Sequence, residues 1–243
     1  MFRHEGKGRT YIHNLRLASI LSLVAGLVNI TGVLSVKVLT TNVTGHFAFF
    51  SEDLSNGKYP IAIEYLFFIF SFLLGAFVSN TLIEIVSRIK PQISYTFPIA
   101  IEIVILFIVS LFGSSSALSN SSSQIIACSL LFAMGLQNAL VTKVSQSVVR
   151  TTHLTGLFTD LGIELSQLFF YRKTSEFKRL SKSIYLKLAI ICCFFFGCLV
   201  GGFIYRSFEL KTLQIASVFL IIALFYDNLR FHYYNIKRKV QSR

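Results

Sequence analysis

Six stretches of this chain run for about two dozen residues or fewer with almost no charge: residues 15–36, 61–86, 97–113, 124–141, 186–205 and 212–229. A helix needs about 20 predominantly apolar residues to cross the hydrocarbon core of a bilayer, so each stretch reads as a membrane span. Composition supports this. Apolar residues make up 53% of the 243 and charged residues only 14%, whereas a soluble domain carries about 25% charged residues. Disorder, collagen, a coiled coil and a disulfide-rich scaffold are excluded on the same grounds. A basic segment precedes the first stretch, as in a signal peptide. That stretch is too long for a signal h-region and lacks a small-residue cleavage pattern, so a retained helix is expected. The chain reads as one all-α integral membrane domain over residues 1–243.

The basic residues orient it. Nineteen of the 23 Lys and Arg fall in the N-terminal segment up to Arg16, at Arg88 and Lys90, from Lys143 to Lys187, and in the C-terminal segment. Lys37, Lys58, Arg206 and Lys211 fall on the other side. Cytoplasmic segments carry the basic excess, which predicts six crossings with both termini cytoplasmic. Tyr59, Tyr95, Tyr185, Tyr205, Tyr226, Tyr233 and Tyr234 stand at or beyond the ends of the stretches, where amphipathic rings prefer the interface. The uncharged, serine-rich run 114–123 suits a short external turn. The net charge of +12 thus follows from topology. Lipid is the expected partner, and nucleic acid is not.

The chain also repeats itself. Gly26-Leu27-Val28-Asn29 in the first stretch matches Gly135-Leu136-Gln137-Asn138 in the fourth. Each is followed by a Thr-x-x-Thr-Gly element, Thr41-Asn42-Val43-Thr44-Gly45 and Thr152-His153-Leu154-Thr155-Gly156. Beyond the glycine, Val43, Phe47, Phe50 and Leu54 share the spacing of Leu154, Phe158, Leu161 and Leu165, one face of a helix, and Asp53 matches Glu164. Three crossings separate the copies, so they face opposite ways. The expectation is two inverted three-helix repeats, about 15–113 and 124–229, as in many secondary transporters. Each carries a short re-entrant or interfacial helix, one external and one cytoplasmic.

These residues carry a family resemblance. Ala133-Met134-Gly135-Leu136-Gln137-Asn138-Ala139, Arg150-Thr151-Thr152-His153-Leu154-Thr155-Gly156 and Thr159-Asp160-Leu161-Gly162 closely resemble motifs of the YoaK family of bacterial membrane proteins. Ala25–Asn29 and Val43-Thr44-Gly45 resemble its first motif, and the likeness spans both repeats. The family commonly has an acidic residue at the position of Asn29 and an amide at that of His46. The resemblance implies a multi-pass topology and brings no substrate with it.

Several polar residues interrupt the apolar half. Gly26 and Asn29, like Gly135 and Asn138, share a helix face. Glycine allows close backbone approach and the amide can bond across it, which suits either plain helix contact or a solute site. Gln137 beside Asn138 adds a second amide. In the Thr-Gly elements a threonine can cap the following helix and glycine can make the turn. The helix N-terminus then favours an anionic group. A solute site between the first and fourth spans would use Asn29, Gln137 and Asn138, with Thr44, Gly45, Thr155 and Gly156 near opposite mouths. Glu102, inside the third stretch, is either part of an ion or proton pathway or an interfacial glutamate paired with a basic residue such as Lys90. His46 and His153 are either protonatable gating groups or polar loop residues. Glu64 and Glu84 look interfacial, and Asp160 and Glu164 solvated. Hydrolase, nucleotide, zinc and dinucleotide signatures are absent from the sequence, and the four cysteines read as small apolar residues. No enzyme activity, metal or cofactor is therefore expected. The reading is a small-solute transporter or channel. The alternative is a non-transporting membrane scaffold or sensor that recruits a partner through its basic cytoplasmic loop 172–187. Small-residue faces also allow a homo-oligomer.

Overall fold

The computed structural model describes residues 11–90, 93–112, 119–172 and 176–225. The basic termini, Tyr226, Tyr233, Tyr234, Lys173 and residues 114–118 of the serine-rich turn lie outside the described residues.

Among the described residues every regular element is helical. In chain order they are α1 (Tyr11–Val36), α2 (Val43–Ser55), α3 (Tyr59–Ile89), α4 (Thr96–Ser110), α5 (Asn120–Ser145), α6 (Leu154–Phe170) and α7 (Glu176–Phe208). A 3-10 turn, Glu209–Lys211, then leads into α8, residues 212–225. Among the described residues, four segments are long and apolar enough to cross a membrane: α1, α3, α5 and the helical stretch Glu176–Phe225. That last stretch has 50 residues. At 1.5 Å per residue it would span roughly 75 Å if straight, more than twice a hydrocarbon core of about 30 Å. Glu209, at φ 45°, interrupts it and separates the fifth and sixth apolar stretches. The third stretch forms the shorter α4, of 15 residues.

Two expectations need correction. The basic segment 172–187 is not a loop, because α7 begins at Glu176. Ser183 and Lys187 point from its first turns to Glu164 of α6, while Lys178, Arg179 and Lys182 face outward. Glu164 is correspondingly not solvated. It accepts from both Ser183 Oγ and Lys187 Nζ at 2.7 Å. Only Asp160 of that pair is exposed.

The long helices pack in two matched pairs, α1 along α7 and α3 along α5, with α1 also touching α5. Both pairs are parallel. Gly197 lies by Leu23 and Gly201 by Leu27 and Ile30. Glu64 meets Gln124 near the start of α3 and α5, and Glu84 meets Lys143 near their ends. Glycine makes each crossing close. A Cβ on Gly26 would collide with the Phe194 carbonyl, and one on Gly197 with the Leu23 carbonyl. In the other pair Gly135 meets the Phe72 carbonyl and Gly75 the Phe132 carbonyl. In each case the carbonyl belongs to the residue three before the partner glycine. This is the small-residue packing that brings helix backbones together in lipid, where burial of apolar surface between helices gives little drive.

The outer faces of α3 and α7 expose Phe67, Phe70, Leu73, Leu74 and Phe77, and Phe195, Phe196, Leu199 and Phe203, as lipid contact requires. The core is built mainly from α1, α4, α5 and α8, with Leu17, Leu21, Ile99, Leu106, Leu130, Met134, Leu213 and Leu220 in one buried cluster. Gly135→Ala should lower stability in detergent by about 1–3 kcal/mol, since backbone is what would have to move. Gly162→Ala, which meets open space, should leave the melting temperature unchanged or slightly raised.

Candidate functional site

An asparagine in an apolar helix needs a partner for its amide, and in both halves the chain itself returns to supply one. After α1 the chain reverses at Lys37, φ 59°. It runs back along the last turns of the helix, with Val38 N–H donating to the Gly32 carbonyl. Thr41 Oγ1 then donates to Asn29 Oδ1 at 3.1 Å. After α5 the chain reverses at Gln146 and Ser147, φ 52° and 64°, and Ser145 bonds Val149 across the turn. Thr152 Oγ1 donates to Asn138 Oδ1 at 2.7 Å. The first threonine of each Thr-x-x-Thr-Gly element thus pins the returning chain beside the helix it has just left, about two turns before that helix ends.

The second residue of each element, not a threonine, occupies the cap position of the next helix. Asn42 stands at the N-cap of α2, and its Oδ1 accepts from Gly45 N–H at 3.0 Å. His153 stands at the N-cap of α6. The glycines make room for these side chains. A Cβ on Gly45 would press on the Asn42 amide, and one on Gly156 would strike the His153 ring. This corrects the expectation that a threonine caps and that glycine serves the turn. The fourth residues, Thr44 and Thr155, are exposed.

The two returns converge. One cavity of about 910 Å³ is lined by Asn29, Thr41, Asn42, Thr44 and Gly45 from the first half and by Asn138, Arg150, Thr152, His153 and Thr155 from the second, with Phe72 and Phe194 among its apolar walls. The first turns of α2 and α6 therefore face a common space, each adding the partial positive charge of a helix N-terminus. Arg150 adds a full one, and no carboxylate is among the lining residues. The space offers hydroxyl, amide and guanidinium donors, which suits a small solute with an acceptor-rich or anionic group.

The other expected site residues lie elsewhere. Gln137 is fully buried between helices, its Nε2 donating to the Leu21 carbonyl of α1 at 3.0 Å. It ties α5 to α1 and does not line the cavity. Gly156 sits just behind the lining, under His153. His46, also outside the lining, is 2% exposed. Its Nε2–H donates to the Leu39 carbonyl at 2.8 Å and its ring packs on Tyr65 and Phe68. The matching position in α6 is Leu157, likewise buried. Glu102 is not paired with Lys90. It is fully buried near the middle of α4 with no hydrogen-bond partner among the described residues, while Lys90 is exposed beyond the end of α3. Of the residues expected at the interface, Tyr59 and Tyr185 are exposed and Glu84 forms an exposed ion pair with Lys143 at 2.7 Å, whereas Tyr95 and Tyr205 are buried.

The matched acids fasten each short helix to the next long one. Asp53 pairs with Lys58 at 3.7 Å, and Glu164 with Lys187 at 2.7 Å, the latter pair only 18% and 13% exposed. Thr41, Asn42, Thr152 and Arg150 were not singled out from the sequence as site residues. Their signal was the position of each relative to the repeated glycine.

Thr152→Val should cost about 0.5–1.5 kcal/mol, the net worth of one hydrogen bond, seen as faster amide exchange over residues 146–153. Combined with Asn138→Leu, the losses should be less than additive. Burial holds the His46 imidazole below its usual range, so the unfolded segment binds the proton first. The return containing residues 37–46 should therefore lose stability as pH falls below about 6.5 and stay stable above it. Amide exchange measured against pH checks this, and His46→Gln, which keeps a donor without titrating, should abolish the dependence.

Comparison with known proteins gives the setting of this cavity. The family described as "Protein of unknown function (DUF1275)" matches residues 17–226. The UPF0700 transmembrane protein YoaK of Bacillus subtilis (strain 168) is 27% identical over 177 residues, covering 72% of this chain and 77% of that protein. No solved structure gives a significant match. The family match takes in both returns and every helix that bounds the cavity, and the chain belongs to this family of transmembrane proteins.

Proposed function

We propose that this protein is a small-solute transporter or channel of a bacterial inner membrane, with its solute site in the cavity between the two returning segments. The observation that carries the reading is the pair of matched hydrogen bonds, Thr41 to Asn29 and Thr152 to Asn138, which bring two helix N-termini to one space. On this reading α1, α3, α4, α5, α7 and α8 are six spans. Residues 37–55 and 146–170 re-enter from opposite faces, and both termini are cytoplasmic.

The helix pairing supports two inverted repeats. Exchanging the halves turns the α1–α7 crossing, with Gly26 and Gly197, into the α5–α3 crossing, with Gly135 and Gly75. It likewise exchanges the α2–α3 contact with that of α6 and α7. Such exchange symmetry underlies alternating access, in which one repeat rocks against the other around a fixed site. Arg150 and the absence of lining carboxylates favour a solute with a carboxylate or another anionic group. The scaffold alternative is less well supported, since the basic segment is built into α7 and its Lys187 is engaged by Glu164.

Purified protein in liposomes, screened with small carboxylates, inorganic anions and neutral metabolites, is expected to move an anionic solute. Thr44→Val and Thr155→Val keep shape and lose one cavity hydroxyl each. If each hydroxyl serves the solute, either change should lower uptake about tenfold, the worth of one hydrogen bond, at unchanged thermal stability. Neutralising Lys178, Arg179 and Lys182 should leave uptake intact. If no solute moves, or if only the basic-segment variant abolishes the cellular phenotype, the transport reading is wrong.

A further inference from the structure

Glu102 stands near the midpoint of α4, on the face it shares with Ile99, Leu106 and Val109, all part of the main core. The residue is fully buried, and neither carboxylate oxygen has a hydrogen-bond partner among the described residues. An ionised carboxylate with no partner is among the costliest groups to place in the centre of a span, and such residues mark ion and proton routes.

Among the described residues, the neighbouring elements offer no compensation. α4 packs on α5, and more lightly on α3 and on the 3-10 turn. Of the charges there, Glu84 and Lys143 pair with each other, Glu64 accepts from Gln124, and Glu209 has a partner of its own. Arg88 and Lys211 lie at helix ends and make no bond to Glu102. The titratable Tyr65 and Cys128 are taken up in other contacts, Tyr65 on His46 and Cys128 against the second apolar cluster. One further group shares the face. Tyr95, seven residues earlier and so about 10 Å along the axis, has a buried hydroxyl that is also without a partner among the described residues.

We propose that Glu102 is a proton-binding site of the transport cycle. Its carboxylate takes up one proton to become the carboxylic acid in the conformation described above. It returns that proton when α4 moves enough to admit water, at the end of the helix marked by Tyr95. The balance is one proton bound and one released, with no counter-ion needed. The role in a transport cycle rests on the reading of the preceding section, while the proton-binding chemistry does not.

The two can be tested apart on the full-length protein in lipid. Infrared spectroscopy at neutral pH should show the carbonyl stretch of a protonated carboxyl, lost in Glu102→Gln and retained, shifted, in Glu102→Asp. Treatment of the unmodified protein with a hydrophobic carbodiimide, which adds to protonated carboxyls, should place the adduct on Glu102. It should spare the exposed Glu52 and Asp160. Absence of both the band and the adduct overturns the proposal. For the coupling, Glu102→Gln should abolish uptake driven by a proton gradient and spare solute exchange at equal pH. Loss of neither would overturn the coupling role. A protonated Glu102 in a protein that moves no solute would leave the proton site standing and remove the transport reading.

Discussion

Asn29 and Asn138 each set an amide within an apolar helix, where water is a poor substitute for a protein partner. Each finds its partner in a threonine that follows within the same half, by hydrogen bonds of 3.1 and 2.7 Å. The geometry this imposes is severe. To bring Thr41 back beside Asn29 the chain must reverse within a few residues of the end of α1, and Lys37 adopts a left-handed conformation to do so. The same holds at Gln146 and Ser147 after α5. The short helices α2 and α6 then start alongside the long ones, about two turns before the ends of α1 and α5. Their N-termini face each other across the cavity for that reason.

The second constraint is the backbone contact at glycine. In lipid, helices gain little from hiding apolar side chains from one another, so close packing must hold them. Gly26 with Gly197, and Gly75 with Gly135, let carbonyls of one helix rest on the next. The two crossings keep α7 and α3 on the flanks, where their phenylalanines meet lipid. They also leave α1 and α5 as the buried axis to which both returns are fastened. Ion pairs finish the arrangement, Glu164 with Lys187 more tightly than Asp53 with Lys58.

Much of this was legible beforehand because its causes are local. An apolar run fixes a helix whatever surrounds it, and all six runs became helical among the described residues, though the fifth and sixth join through a 3-10 turn. The repeated Gly-x-x-Asn and Thr-x-x-Thr-Gly words pointed to the cavity because both halves use them in the same way. Gln137 misled for a physical reason. Its neighbour Asn138 faces the cavity, but one residue along a helix turns the side chain by about 100°, and Gln137 faces α1. Glu102 could be read from the sequence either as part of an ion or proton pathway or as an interfacial partner of Lys90, and the structure removes the second. Its actual surroundings depend on what packs around α4, and no local pattern records that. The basic segment 172–187 looked like a loop because its charges are dense, yet two of its polar residues are placed to hold Glu164.

By itself the sequence determined that the chain is a helical membrane protein, which stretches are apolar enough to span, and which polar words recur. These follow from hydrophobicity, charge and spacing, properties a chain carries before it folds. The tertiary structure decided which of the recurring residues meet. It joined two Thr-Gly elements 111 residues apart in one cavity, gave the asparagines to the returning threonines, and left Glu102 buried with no hydrogen-bond partner among the described residues. Convergence of that kind depends on how far backbones can approach and where a chain can reverse, and only the packed molecule settles both.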